Sequence, residues 1–384
     1  MAHTLYEKAL HCEAVMDERH NYEGQVRTHV LLPPVGLPDY STGNHEDDAI
    51  STGTYLGVLS FRWAVTKDAA TRRRARQTAR ALRKLQRITG SDGAFACGFK
   101  RGQGPSWDEQ FFYYPGEWHQ AGEYRWVGDA MTDSLAGIIF GYALYYDLVA
   151  DAKEKAQVAK DVDLIMGKIV DANMRIVDVD GRMTMWGNMC PVILEEDLNA
   201  LEPLSFLRSA YHITKKRRFP QEYHRLIRDF GYHERAGRAN ANKEPGESPW
   251  DWNLAMSILY PLLKYETDSS LLAYYRRSLE IQWRGVRRER LRDPFFNWAY
   301  KAYRPEAPIP KESWQWLRDY EPGDPEHPGS PSPFTPPLVD RKQRFELEVG
   351  GKVQVIEAAV EGAPTPYLRA YWMGRYHGFI PADA

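Results

Sequence analysis

The chain repeats one couplet: a helical stretch that is apolar nearly all round, then one that is charged over most of its surface. "DDAISTGTYLGVLSFRWAVT" (47–66) carries no charge after Asp48 except Arg62, so it reads as a helix buried on almost every side. "ATRRRARQTARALRKLQRIT" (70–89), which follows, offers only a thin apolar stripe of Ala75, Ala79, Leu82 and Leu85. Such a pair is an αα-hairpin, its inner member lining a core and its outer member facing water. The couplet recurs at 131–149 with 152–172, at 198–214 with 220–234, and at 250–266 with 270–289. "PFFNWAYKAY" (294–303) is a fifth inner segment. "PYLRAYWMGRYHGFI" (366–380) is another, suited to pair with an N-terminal helix over 4–19.

Stacked hairpins either run on as a solenoid or close into a ring. A solenoid keeps a tight period, whereas these loops differ greatly in length and the inner helices are far more apolar. Closure is therefore expected: an all-α (α/α)6 toroid, one domain over 1–384. Two β-hairpin inserts interrupt it. One spans 174–187 and turns at Asp180-Gly181; the other turns around Gly350-Gly351 inside the proline-rich crossover 305–365, a segment expected to cover one mouth of the ring.

Composition narrows the function. With 50 Lys+Arg against 52 Asp+Glu, the formal net charge of -2 lacks the excess of a nucleic-acid binder. The basic runs around Arg72, Arg73, Arg74 and Arg76 and at 215–218 read as solvated outer faces. Cys12, Cys97 and Cys190 are too far apart for a zinc site or disulfide framework and read as buried thiols. No secretory leader is visible and no apolar run reaches bilayer length, so a soluble protein of bacterial periplasm or cytoplasm is expected, with no membrane partner. HExxH, Walker, GxSxG and βαβ GxGxxG patterns are missing, and neither metal nor cofactor is expected. The 12 Trp and 23 Tyr exceed what a helical core needs and suit a cleft that grips sugar rings.

The N-terminal ends of inner helices open onto a toroid's cavity, so polar residues there are site candidates. In "GNHEDDAIST" these are His45 and, beside the small Ser51-Thr52 face, Asp48; Asp47 reads as a cap as readily as a ligand contact. "GEWHQAGEYRWVGDAMTDSLAG" (116–137) supplies Glu117, Trp118, His119, Tyr124, Arg125 and Trp126, then Asp129 and Asp133, whose spacing predicts one face of a single helix. Paired carboxylates repel, which raises one pKa as a general acid requires. "SPWDWNLA" sets Asp251 between Trp250 and Trp252, and "MWGNM" adds Trp186 and Asn188. Rings beside carboxylates suit glycosidic-bond chemistry, in which one carboxyl protonates the bridging oxygen and another activates water. Asp133 is the expected acid or base and Asp48 its partner, with Glu117 and Asp129 in reserve. Trp118, Trp126, Trp186 and Trp252 would stack sugars, while His45, Asn188 and Asp251 add polar contacts. His119 and Arg125 would hold the carboxylate of an acidic oligosaccharide. His119, Tyr124 and Arg125 could instead serve a uronate lyase. Two readings without catalysis stay open beside these: a glycan-binding protein, and a plain helical scaffold for protein partners.

The stretches "EDDAISTGTYLGVLSFRWAVTKD", "GEWHQAGEYRWVGDAMTDSLAG…YYDLVAD", "MWG" and "YLRAYWMGRYHGFI" resemble the six-hairpin glycosidase superfamily. They are most similar to a bacterial polysaccharide-degradation group patterned "DNDGLW-x-x-MYL…FRYAVT", "GEW…W-x-GDTSSDE…YYDLVAD", "RWG" and a "YLLAYWMGRYHGFI"-like tail. The resemblance covers nearly the whole chain. It implies the (α/α)6 toroid and an exo-acting glycoside hydrolase on uronic-acid-containing oligosaccharides, akin to glucuronidases and unsaturated glucuronyl hydrolases. It also implies inner-helix aspartates placed as Asp48 and Asp133 are. Ser134 stands where that group has an acid, its "DNDG" is Glu46-Asp47-Asp48-Ala49 here, and its "HSDDE"-like segment survives only as Asp251. Together these departures point to a different acid–base pair or a distinct substrate, and Ser134 is the feature that favours the binding-only reading.

Overall fold

A computed structural model describes residues 4–32, 47–104, 116–194, 196–247, 250–320, 339–349 and 352–384. Its inner helices are α2 (Asp48–Thr66), α4 (Thr132–Leu148), α6 (Leu198–Thr214), α9 (Trp250–Tyr265), α11 (Pro294–Lys301) and α13 (Thr365–Tyr376). Each packs on the next, and α13 returns to α2, so the ring closes. The outer layer is α1 (Leu5–Val15), α3 (Ala69–Arg87), α5 (Ala152–Asp171), α7 (Arg218–Phe230) with the short α8 (Tyr232–Ala236), α10 (Ser269–Arg288) and α12 (Lys311–Asp319). This is the (α/α)6 toroid expected from the couplets. The sequence pattern missed α12, whose single apolar stripe lies hidden in the proline-rich segment.

Polar side chains start the outer helices. Thr4 with Glu7, and Asp151 with Glu154, form capping boxes on α1 and α5, while Asp68 and Asp268 accept the first free amides of α3 and α10. Four arginines of α3 pair with neighbouring outer elements: Arg83 meets Asp161 at 2.8 Å, Arg72 meets Asp151 at 3.5 Å, Arg76 pairs with Glu154 and Arg74 with Asp17, which laces much of that face with ion pairs.

Inside, α2 and α4 touch backbone to backbone. A Cβ on Gly53 would stand 2.1 Å from the Gly137 carbonyl oxygen, and one on Gly141 would stand 2.2 Å from that of Gly53. Hydrogen bonds tie other neighbours: Ser205 Oγ donates to the Ile258 carbonyl at 2.7 Å, and Trp298 Nε1 to that of Ala370 at 2.9 Å. The two chain ends meet where Tyr367 Oη donates to the Leu5 carbonyl and Trp372 Nε1 donates to Glu13, both at 3.0 Å.

The far half of the ring is filled. Phe61 from α2, Phe140 from α4, Tyr260 from α9, and Tyr376 with His377 from the end of α13 converge there. Ring centroids lie 5.1 to 6.4 Å apart, and Tyr260 Oη bonds His377 Nε2 at 2.8 Å. At the other end, where inner helices begin, short strands decorate the rim. Strands β1 (Asn21–Tyr22) and β2 (Gln25–Val26) form a small ribbon. Strand β3 (His29–Leu32) pairs with β10 (Lys352–Gly362), which pairs with β9 (Val339–Val349) in the hairpin expected after the crossover. Strands β7 (Arg175–Val177) and β8 (Met183–Asn188) are the other expected hairpin. An antiparallel sheet, β4 (Gly98–Arg101), β6 (Tyr124–Val127) and β5 (Trp118–Ala121), was not foreseen. Its signal was available: "WHQAGEYRWV" turns at Gly122-Glu123 between two four-residue strands.

Candidate active site

Helix α4 begins at Thr132, not before Asp129, so Asp129 and Asp133 do not share a helix face. Asp129 sits in left-handed backbone (φ 56°) and binds the β7–β8 hairpin: its N–H donates to Asp178 at 2.5 Å, and its carboxylate accepts Met185 N–H at 2.9 Å. Burial raises its pKa, with Asp178 and Asp180 adding to the shift against the Met185 bond. Asp48 is wholly buried in the first turn of α2, where its two oxygens accept from Gln25 Nε2 at 3.0 Å and Thr28 N–H at 2.9 Å. Those bonds lock α2 to the β1–β2 ribbon, a structural duty at odds with the proton exchange expected of it.

Asp133 keeps the central position. Half-buried in the first turn of α4, it has a pKa raised to about 6, first by burial and then by the charge of Asp251. Asp251, in the first turn of α9, is ion-paired with Lys243. Beneath them lies Glu202 of α6, fully buried, with a pKa raised to about 8 by burial and by Asp133; Asn199 and Thr132 donate to it, and its Oε1 has no hydrogen-bond partner. Three inner helices thus bring three carboxyls into electrostatic contact at one mouth. At least one of the three holds a proton near neutrality. Sequence reasoning passed over Glu202, although it is the one charged residue of "LNALEPLSFL". A lone acid in an inner helix is a signal worth taking.

The expected aromatic plates scatter. Trp252 is buried against α10, where Gly285 makes room: a Cβ there would stand 2.3 Å from its ring. Trp126 is buried under the sheet with His119 stacked on it at 4.2 Å. Register puts His119, Trp126 and Tyr124 on one sheet face and Trp118 and Arg125 on the other. Tyr124 belongs to a surface cluster, bonding Glu23 at 3.0 Å under the ammonium of Lys84. His119, Tyr124 and Arg125 are therefore not assembled as a lyase would need. Trp118 is flanked by Lys100 and Arg125, at 4.5 and 5.8 Å from its ring. Its end of the sheet is tied to the start of α2 through Cys97, which bonds both Ala49 and Val127. Trp186 is 61% exposed on β8, Glu117 is exposed, and Asn188 pins its own turn by bonds to Cys190 and Ile193. His45 lies outside the described residues. Among the described residues no three His, Cys, Asp or Glu are placed to hold a metal ion, and no helix is long and apolar enough to cross a membrane.

The sequence matches no family model and no curated protein. Solved structures do match. A sugar epimerase from a ruminal bacterium aligns over 98% of this chain and 99% of its own, with a TM-score of 0.55 and 12% identity. The cellobiose 2-epimerase of Spirochaeta thermophila aligns over 98% of both chains, with a TM-score of 0.50 and 10% identity. The likeness is one of fold. It agrees with the toroid that the sequence resemblance implied, and the chemistry must be argued from the carboxyl cluster itself.

Proposed function

We propose that this protein is a carbohydrate-active enzyme whose chemistry is proton exchange between carboxyl groups and a bound sugar. Asp133 gives up the proton, and ion-paired Asp251, whose charge lifts the pKa of Asp133, accepts one; buried Glu202 stands beneath them. The observation that carries this is the carboxyl trio at the starts of α4, α6 and α9, with Asp133 raised to about 6. A carboxyl that titrates near working pH is what general acid–base catalysis requires.

Sugar epimerisation is the first reading. It is supported by the two fold relatives, both sugar epimerases that align from end to end. It needs one group to take a proton from the carbon beside a carbonyl and another to return one to the opposite face. Glycoside hydrolysis is the second, supported by the all-carboxyl make-up of the trio: the same two aspartates would protonate the leaving oxygen and activate water. The lyase reading loses its support with the separation of His119, Tyr124 and Arg125.

Incubation with cellobiose in deuterated water, followed by NMR, separates the two. Deuterium at C2 of the reducing sugar together with a second epimer marks epimerisation; released glucose marks hydrolysis. Replacing Asp133 by Asn should slow either reaction by about 10²–10⁴-fold. An undiminished rate in Asp133→Asn removes the proposal.

A further inference from the structure

Beside the trio the mouth continues into a small pocket of about 100 Å³ between α2, α9, α11 and α13. On it lies Arg369, 6% exposed. One arm of its guanidinium, Nη2, donates to Asn253 Oδ1 at 2.9 Å and reaches Asp293 Oδ2 at 3.4 Å, and the whole group covers the Phe295 ring at 3.6 Å. Its Nε is buried with no hydrogen-bond partner, and so is Nδ1 of His29, which also lines the pocket. Buried nitrogens left unpaired around one cavity call for a ligand that supplies oxygen.

We propose that this pocket anchors the sugar, and that it takes an uncharged, hydroxyl-bearing ring in preference to a uronate. The inference rests on reading the neighbouring trio as sugar chemistry and adds which class of sugar enters. Charge decides it. Arg369 is the one cation among the described lining residues, and Asp293 already faces it; Asp47 adds a second carboxyl to the wall. His29 brings no positive charge, because burial pushes its pKa down to about 4. Asp133, Asp251 and Glu202 follow at the same mouth. A ligand carboxylate would meet like charge there without a spare cation to compensate. Hydroxyls fit better, since each both donates and accepts. Thr28, Ser51, Thr54 and Thr365 line the wall with the same chemistry, beside Trp250, which is 42% exposed.

The test is calorimetric titration at neutral pH with cellobiose and with cellobiouronic acid, which differs by one carboxylate. The uronate should bind at least about tenfold more weakly, the effect of one uncompensated like-charge contact. Trp250→Ala and the milder Thr54→Val should each weaken cellobiose binding about threefold or more and raise KM, while leaving kcat within about twofold. Equal or tighter binding of the uronate, no measurable binding of either sugar, or cellobiose affinity unmoved by both variants overturns the inference. These outcomes are separable from the acid–base proposal. A uronate preference with Asp133-dependent turnover sinks only the pocket's specificity. Cellobiose bound with the expected ranking but never converted, alongside every other sugar tried, sinks only the chemistry.

Discussion

Asp133 and Glu202 are the residues on which pH should act most visibly. Both have folded pKa values raised above the ordinary carboxyl range, to about 6 and about 8. The native state therefore binds more protons than the unfolded chain between about pH 4 and pH 8, and the pair's contribution to stability falls as pH rises through that window. His29 and His377, with pKa values lowered to about 4 by burial, act the other way below 6.5. The informative measurement is thus a difference: Glu202→Gln should gain melting temperature relative to wild type on going from about pH 5 to about pH 9. A constant offset would show that Glu202 does not carry the raised pKa. The sequence made Asp133 legible because an acid opens an almost wholly apolar helix. Asp48 had the same signature, and only the third dimension shows Gln25 and Thr28 saturating it.

At the scale of elements, helices were easy to read and rim strands were not. The inner–outer alternation depends only on which faces are apolar, and that is written locally. The stretch 116–131 was harder, because four-residue strands are too short to show a period and their rings read as a sugar platform. Trp252 and Trp126 went astray for a related reason: a Trp beside an acid has the same letters whether it lines a cavity or fills the gap left by Gly285. The contact of α2 with α4 yields a sharp expectation. Gly53→Ala places a methyl against backbone that cannot yield, so the helices must part, at a cost of about 3 kcal/mol or more by urea unfolding. Gly122→Ala has open space around its Cβ, although its φ of 60° favours glycine, and should cost about 1 kcal/mol.

At the scale of the molecule, ring closure joins residues hundreds of positions apart, and the seam between α1 and α13 is where it can be opened. Removing residues 4–16 would expose Tyr367 and Trp372 and delete the acceptors at Leu5 and Glu13. We expect loss of the cooperative thermal transition, seen by circular dichroism, rather than a modest shift, because every inner helix relies on two neighbours. A sharp, near-native transition in that truncation would mean the seam is dispensable. Closure itself was legible from the repeated couplets; which carboxyls it assembles was not, since Asp133, Glu202 and Asp251 lie tens of residues apart and only helix phase decides which of them meet.

The aromatic stopper formed by Phe61, Phe140, Tyr260, Tyr376 and His377 turns the toroid's hole into a blind well. A polymer cannot be threaded through a tube closed at one end. Under the chemistry proposed for Asp133, a sugar would have to enter and leave by the same mouth.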